Sequence, residues 1–270
     1  MNREGIEGLG SPLAARVELH EELGSTQQRA RELVRAGAPH GTLVISRVQT
    51  GGRGRLGRRW GSPAGGLWMS LVLRPGISTE VTPRVTQAAA VGVAKALWEL
   101  GVEARIKWPN DLLVKGRKIC GILAESSVES VSAATKKVET REGRRVDFVV
   151  LGVGLNANLD AKSLGIPEGK AATIRSELGR DVDLLALLGS LLSHLDFELG
   201  RIDDFLAILD DWRALDCTLG ERIRVRRFGE VLEGVALDLG PEGALLLKTR
   251  DGAVELFEGE IERLRRQGAP

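Results

Sequence analysis

Tyrosine is missing from this chain of 270 residues, and aromatic residues of any kind make up only 4% of it. Proteins that hold single-stranded nucleic acid stack bases on aromatic platforms, so a nucleic-acid-binding role has little to stand on. An excess of one charge is lacking too. The 38 Lys and Arg against 37 Asp and Glu leave a net charge of +1, which argues against a polyanion-coating surface but leaves room for a local basic patch. Cysteine occurs only as Cys120 and Cys217, far apart and without metal-ligand spacing, so neither a disulfide framework nor a zinc site is implied. The histidines, His20, His40 and His194, are scattered, and each reads as a surface or core side chain. No apolar run approaches the ~18 residues of a membrane span, and "MNREGIEGLG" has no signal-peptide core. A reduced, cytoplasmic protein with no membrane partner is expected.

What the chain has in quantity is apolar mass and glycine. Hydrophobic residues make up 43% of it and 34 residues are glycine, enough to bury a substantial core and still turn often. Residues 13–20 end in "RVELH", a short strand by pattern. "GSTQQRARELVRAG" reads as a helix capped by Ser25 or Thr26 and stopped by Gly37. "TLVISRV" (42–48) and "GGLWMSLVLRP" (65–75) read as strands, and Thr82 to Leu100 gives the clearest helix. Lys115-Gly116 joins two extended runs into a hairpin, 126–145 is a polar excursion, and "VDFVVLGVGLNAN" (146–158) is a core strand. Further helices are expected over 183–199 and 202–213. Beyond about residue 216 come four or five short alternating strands with Gly-containing turns. The expected fold is α/β (α+β): a mixed sheet packed with helices over 1–215, then a small SH3-like β domain over 216–270.

"QTGGRGRLGRRW" (49–60) contains Gly52, Gly54 and Gly57 in the G-x-G-x-x-G spacing of a dinucleotide site. That motif must open a helix whose N-terminus faces the pyrophosphate. Here "RRWGSPAGGLW" follows, with Gly61, Pro63, Gly65 and Gly66 where the helix should run, and no Gly-Lys-Ser/Thr closes a P-loop. The arginines need another explanation. Arg53, Arg55, Arg58 and Arg59 lie among glycines, so the loop repels itself when empty and is expected to order around a multiply charged anion. From this segment alone a solvated basic turn, a phosphate-ligand site and a nucleic-acid arm all stay open.

Two other segments favour the phosphate ligand. "KWPNDLL" (107–113) ties Lys107, an aromatic, a proline break, Asn110 and Asp111 to one strand end. Pro109 pushes Trp108 out of the α region and aims Asn110 and Asp111 at a cleft. Lysine beside carboxylate suits a nucleotide phosphate and its magnesium ion; an Asx turn is the plainer reading of Asn110-Asp111. "GVGLNAN" (152–158) ends a strand in small residues and Asn156, a wall for a flat heterocycle.

These segments, with "GST" at 24–26, "KWPNDLLVKGRKICGILAE" at 107–125 and "AATIRSELGRDVD" at 171–183, resemble the biotin protein ligase family in order and separation. The resemblance covers about residues 17–265 and implies an enzyme that makes biotinyl-5′-AMP and pyrophosphate from biotin and ATP with Mg²⁺. Biotin then passes to a lysine of a biotin carboxyl carrier protein domain, typically that of acetyl-CoA carboxylase. It implies that Ser25, Thr26, Gln27 and Gln49 bind the ureido ring, that Gly52, Arg53 and Gly54 close over it, and that Trp60 is an apolar lid. Arg55 and Arg58 would hold the phosphates and adenylate, Lys118 the biotin carboxylate and α-phosphate, Lys107 the triphosphate and Asn156 the adenine, with Asn110 also among the ATP-binding residues. Asp111 falls near Mg²⁺ and the acceptor lysine. About two dozen residues precede Gly24, too few for the helix-turn-helix domain of some members, so no sequence-specific DNA binding is expected. A homodimer joined at sheet edges is expected. Lipoate–protein ligase is the enzymatic alternative, and a nucleic-acid-binding protein the non-enzymatic one.

Overall fold

A computed structural model of the chain describes residues 1–78, 81–128 and 145–264. Its spine is a seven-stranded sheet built from β1 (Arg16–Leu23), β2 (Thr42–Gln49), β3 (Leu67–Leu73), β4 (Arg105–Lys107), β5 (Asp111–Val114), β6 (Arg117–Val128) and β7 (Val146–Leu155). The order is β1-β2-β3-β7-β6-β5-β4. Only β1 and β2 run parallel, so only they need a long crossover, and α2 (Thr26–Arg35) supplies it. Ser25 caps α2 through the Gln28 amide, and Gly37 follows at φ +84°, as the sequence predicts.

One face of the sheet carries α3 (Thr82–Glu99), which packs against α5 (Leu184–Gly200) and α6 (Phe205–Leu215). Ala88, Ala89, Ala90 and Val91 are all fully buried, because small side chains let α3 sit close on every side. At Gly92 a β-carbon would come 3.0 Å from the His194 carbonyl of α5, so the α3–α5 approach depends on that glycine. The short helices α1 (Arg3–Glu7) and α4 (Ile174–Leu178) complete the set. Neither carries enough periodicity to be read from sequence. The strand expected in 13–20 runs from Arg16 to Leu23, and the helix expected over 202–213 begins at Phe205 and ends at Leu215. The polar excursion over 126–145 lies outside the described residues except at its ends.

The other face changes character along its length. Side chains two apart on a strand share a face. Towards α2 that face presents Val44, Val72 and Val150, packed against Ala30, Leu33 and Val34. One step along it become Ser70, Gly152 and Leu123, and a further step Trp68, Gly154 and Gly121, each set in register across β3, β7 and β6. The face turns small and polar where α2 stops covering it, and the cavity lies there.

The second sheet is antiparallel and holds β8 (Arg222–Arg227), β9 (Glu230–Leu239), β10 (Leu245–Lys248), β11 (Ala253–Leu256) and β12 (Glu260–Arg263) in the order β11-β10-β9-β8-β12. It docks on the helical layer: Arg213 Nε donates to Asp238 at 2.8 Å and Gln87 Nε2 to the Gly243 carbonyl at 2.7 Å. Its inner residues Ile223, Val225, Ala236 and Leu239 join the main hydrophobic cluster.

Candidate active site

The small polar stretch of sheet forms the floor of a cavity of ≈ 520 Å³, walled by segment 49–60 and by β12. Of the residues singled out from sequence, Ser25, Thr26, Gln27, Gln49, Arg53, Gly54, Arg55, Arg58, Trp60, Lys107, Asn110, Asp111, Lys118 and Asn156 all line it. Gly52 does not. A β-carbon there would lie 2.5 Å from the Trp60 carbonyl and 2.7 Å from Ser62 Oγ, so its backbone packs behind the wall.

One end is neutral and polar. The first turn of α2 places Ser25, Thr26 and Gln27, all buried, beside Gln49 at the end of β2. Gln49 Oε1 accepts from the Thr26 amide at 2.8 Å, and Gln49 Nε2 donates to Ser62 Oγ at 2.8 Å. Ser70 Oγ donates to Gln27 Oε1 at 3.0 Å and meets Thr26 Oγ1 at 2.9 Å, while Gln27 Nε2 donates to Glu125 and to the Val150 carbonyl, both at 3.0 Å. Such a network is satisfied and rigid. Sequence reasoning missed Ser62, Ser70 and Glu125. A signal for Ser70 existed, since it is the one hydroxyl inside the apolar run "LWMSLVL".

The other end is cationic. Lys118 Nζ lies 2.6 Å from Asp111 Oδ1 and 4.8 Å from the centre of the Trp60 ring. Lys107, at the end of β4, is largely buried, and that burial pushes its ammonium below the usual lysine range against the pull of Asp111. Arg55 is half-buried, and desolvation likewise lowers its guanidinium while Asp111 opposes. Arg55 Nη1 donates to Asn110 Oδ1 at 2.9 Å, and Asn110 Nδ2 donates to the Ile122 carbonyl at 2.7 Å. Asn156, 2% exposed, donates to the Lys118 and Ala172 carbonyls and has no partner for its Oδ1.

Segment 49–60 departs from the self-repelling loop expected of it. It is an irregular hairpin, with the Gln49 amide on the Ser62 carbonyl at 3.0 Å, Trp60 on Gly52 at 2.9 Å and Gly54 on Arg58 at 2.8 Å. Its guanidinium groups diverge, and three find partners: Arg55 turns inward to Asn110, Arg58 pairs with Glu260 of β12, and Arg53 donates to Gln28 Oε1 at 3.5 Å. Nothing in the sequence marks Glu260, because its partner is some 200 residues away. The Trp60 ring lies flat on the floor. A β-carbon on Gly154 would come 2.6 Å from Trp60 Nε1, and one on Gly121 would come 2.9 Å from the ring.

The cavity thus has an uncharged hydrogen-bonding end and a cationic end, joined along a floor where Gly121, Gly152 and Gly154 leave room for the groups above them. The Biotin/lipoate A/B protein ligase family matches residues 20–156, and the biotin protein ligase C terminal domain matches residues 218–264. The chain belongs to the biotin protein ligase family. It is similar to the bifunctional ligase/repressor BirA of Bacillus subtilis, at 36% identity over 250 residues, covering 90% of this chain and 72% of that protein. It is also similar to the biotin–[acetyl-CoA-carboxylase] ligase of Paracoccus denitrificans, at 33% identity over 249 residues, covering 87% and 97%. Among solved structures, the biotin protein ligase from Aquifex aeolicus in complex with biotin and ATP matches with a TM-score of 0.73 and 28% identity, covering 93% of this chain and 99% of that one.

Proposed function

We propose that this chain activates biotin with ATP to biotinyl-5′-AMP and transfers the biotinyl group to a lysine of a biotin carboxyl carrier protein domain. The observation that carries the reading is the single cavity joining a neutral hydrogen-bonding network to four cationic side chains across Gly121, Gly152 and Gly154. Ser25, Thr26, Gln27 and Gln49 suit the neutral ureido ring, whose donors and acceptors need fixed partners. Lys118, Arg55, Arg58 and Lys107 suit the carboxylate and phosphates, and the unpartnered Asn156 Oδ1 suits the adenine amino group. Arg53 and Gly54 belong to the wall that covers the ring.

In the first step a biotin carboxylate oxygen bonds to the α-phosphorus while the bond to the bridging oxygen breaks, and pyrophosphate leaves with the electron pair. Lys118 and Arg55 stabilise the charge that builds there. In the second step the carrier lysine's amine attacks the acyl carbon, the acyl–oxygen bond breaks, and AMP leaves. Asp111, held by Lys118, is within the cavity to take the proton the amine loses. The hairpin over the floor keeps water from the mixed anhydride. Among the described residues no cluster of three or more His, Cys, Asp or Glu forms a metal cage. Asp111 is the carboxylate that would hold a magnesium ion brought with ATP, and the ion would supply neutralisation of phosphate charge there.

The reading keeps residues 1–215 as the ligase unit and 216–270 as the small β unit, in a cytoplasmic homodimer joined at sheet edges. The test is pyrophosphate release in ATP and Mg²⁺ with biotin or with lipoate. Release that requires biotin is expected. Release with lipoate would overturn the pocket assignment, and no release from folded protein with either would overturn the reaction.

A further inference from the structure

Lys107, proposed above to hold the phosphates, ends β4, an edge strand of only three residues, and Asn110 and Asp111 follow it across the turn into β5. So short an edge is weakly held by its one strand neighbour, β5, whose pairing with it ends at Lys107 and Asp111. The next amide, that of Trp108, has no strand partner. It donates instead to the hydroxyl of Thr218, at 3.0 Å. Trp108 is 1% exposed and Thr218 3%, so no water can replace that acceptor.

Thr218 belongs to the linker that joins α6 to the small sheet, and the linker lies along β4 as a further, irregular strand. Asp216 bridges Ile106 in parallel, and the Cys217 amide donates to the Ile106 carbonyl at 2.9 Å. Asp216 fixes the linker in turn. Its Oδ1 accepts from the Thr218 amide and, at 2.6 Å, from the Leu219 amide, while its Oδ2 accepts from the Trp212 indole at 3.1 Å. Neither Asp216 nor Thr218 lines the cavity, whereas Lys107, Trp108, Asn110 and Asp111 all do. Asn110 also anchors Arg55, so a shift at Trp108 moves three phosphate-facing groups together.

We propose that the linker Asp216–Thr218 is a positioning element of the nucleotide end of the site: the Thr218 hydroxyl, by accepting the Trp108 amide, sets the backbone from which Lys107 and Asn110 reach the phosphates. This rests on the ligase reading for the identity of the nucleotide. Thr218 acts through Trp108 and has no contact with biotin's end of the cavity, so its loss weakens one substrate and spares the other.

The test compares the parent with Thr218→Val, which keeps the shape and removes the acceptor, and with Thr218→Ser, which restores it. Thr218→Ala is read in place of Thr218→Val should the latter not fold. Two quantities are measured: KM for ATP and for biotin by pyrophosphate release, and Kd for α,β-methylene-ATP on biotin-saturated protein by calorimetry. A buried amide left without an acceptor is expected to raise both nucleotide values about tenfold. KM for biotin should stay within about twofold, and Thr218→Ser should recover the parent values. A lower melting temperature with unchanged nucleotide KM and Kd would make Thr218 merely structural and overturn the proposal, as would equal losses for both substrates. Should the parent release no pyrophosphate, the ligase reading fails, while the analogue Kd still decides whether Thr218 sets the nucleotide end.

Discussion

One added carbon at Gly154 would sit 2.6 Å from Trp60 Nε1, a distance no β-carbon tolerates, and the obstacle is a ring already resting on Gly121. The ring would have to lift, taking with it the face against which Lys118 stacks. Misplacing a substrate-facing group by about 1 Å costs on the order of 100-fold in rate. Gly154→Ala should therefore lower adenylate formation ~10- to 100-fold with little change in melting temperature, read by pyrophosphate release and a thermal scan. Unchanged adenylation would mean that Trp60 has no part in the site. The sequence made the glycines at 152 and 154 legible as a wall, because they end an apolar strand. It did not make legible that Trp60 is the group Gly154 admits, nor that Gly152 admits Gln27, whose Oε1 a β-carbon there would meet at 2.5 Å. Those partners come from other strands, and spacing along one strand carries no record of them.

At the scale of elements, pattern sufficed where a segment's own periodicity decides its state. α2, α3 and β2 fall where the residues predict them: α2 buries one face against the sheet, α3 is a long apolar helix packed on every side, and β2 is an apolar run buried on both faces. Segment 49–60 was legible as basic and glycine-rich but not as a hairpin, since its cross-links join backbone groups rather than an apolar face. The linker after α6 was not legible at all, although it holds the most perturbed carboxyl of the described residues. Burial pushes Asp216 up to about 6, against the amides of Leu219 and Thr218 and the Trp212 indole, which pull it down. In the unfolded chain an aspartate titrates near ~3.9. Between those values the folded state keeps a proton that the unfolded chain has lost. The group's contribution to stability is thus fully present below about pH 4 and is lost as pH rises through about 6. The stability of the parent relative to Asp216→Asn should fall from pH 4 to 7 and then level off, as urea unfolding at several pH values would show. A difference that is flat across this range, or that grows with pH, would contradict it.

For the whole molecule the question is whether the two sheets are units of stability as well as of sequence. A β module of roughly fifty residues buries too little surface to be more than marginally stable alone. Here its core is not its own: Ile223, Val225, Ala236 and Leu239 belong to the cluster that also contains Val85 of α3 and Leu209 of α6. Polar ties cross the same boundary, from Arg84 to Glu242, Gln87 to Gly243, Arg213 to Asp238, and Trp108 to Thr218. Within the helical layer the fully buried Glu198 takes both Lys95 and Arg201, and Asp211 of α6 completes that group, so the helices that receive the module are themselves fixed to one another. Breaking a buried charge group by losing one partner costs about 3–5 kcal/mol, which discourages the helices from separating before the sheet. The exposed Arg58–Glu260 pair adds little, about 0–1 kcal/mol, so it is the shared core and not the latch over the cavity that couples the parts. The chain should therefore unfold in a single calorimetric transition, with the calorimetric and van't Hoff enthalpies equal within error. Two resolved transitions, the smaller matching a fifty-residue β unit, would show that the module docks without sharing the cooperative fold.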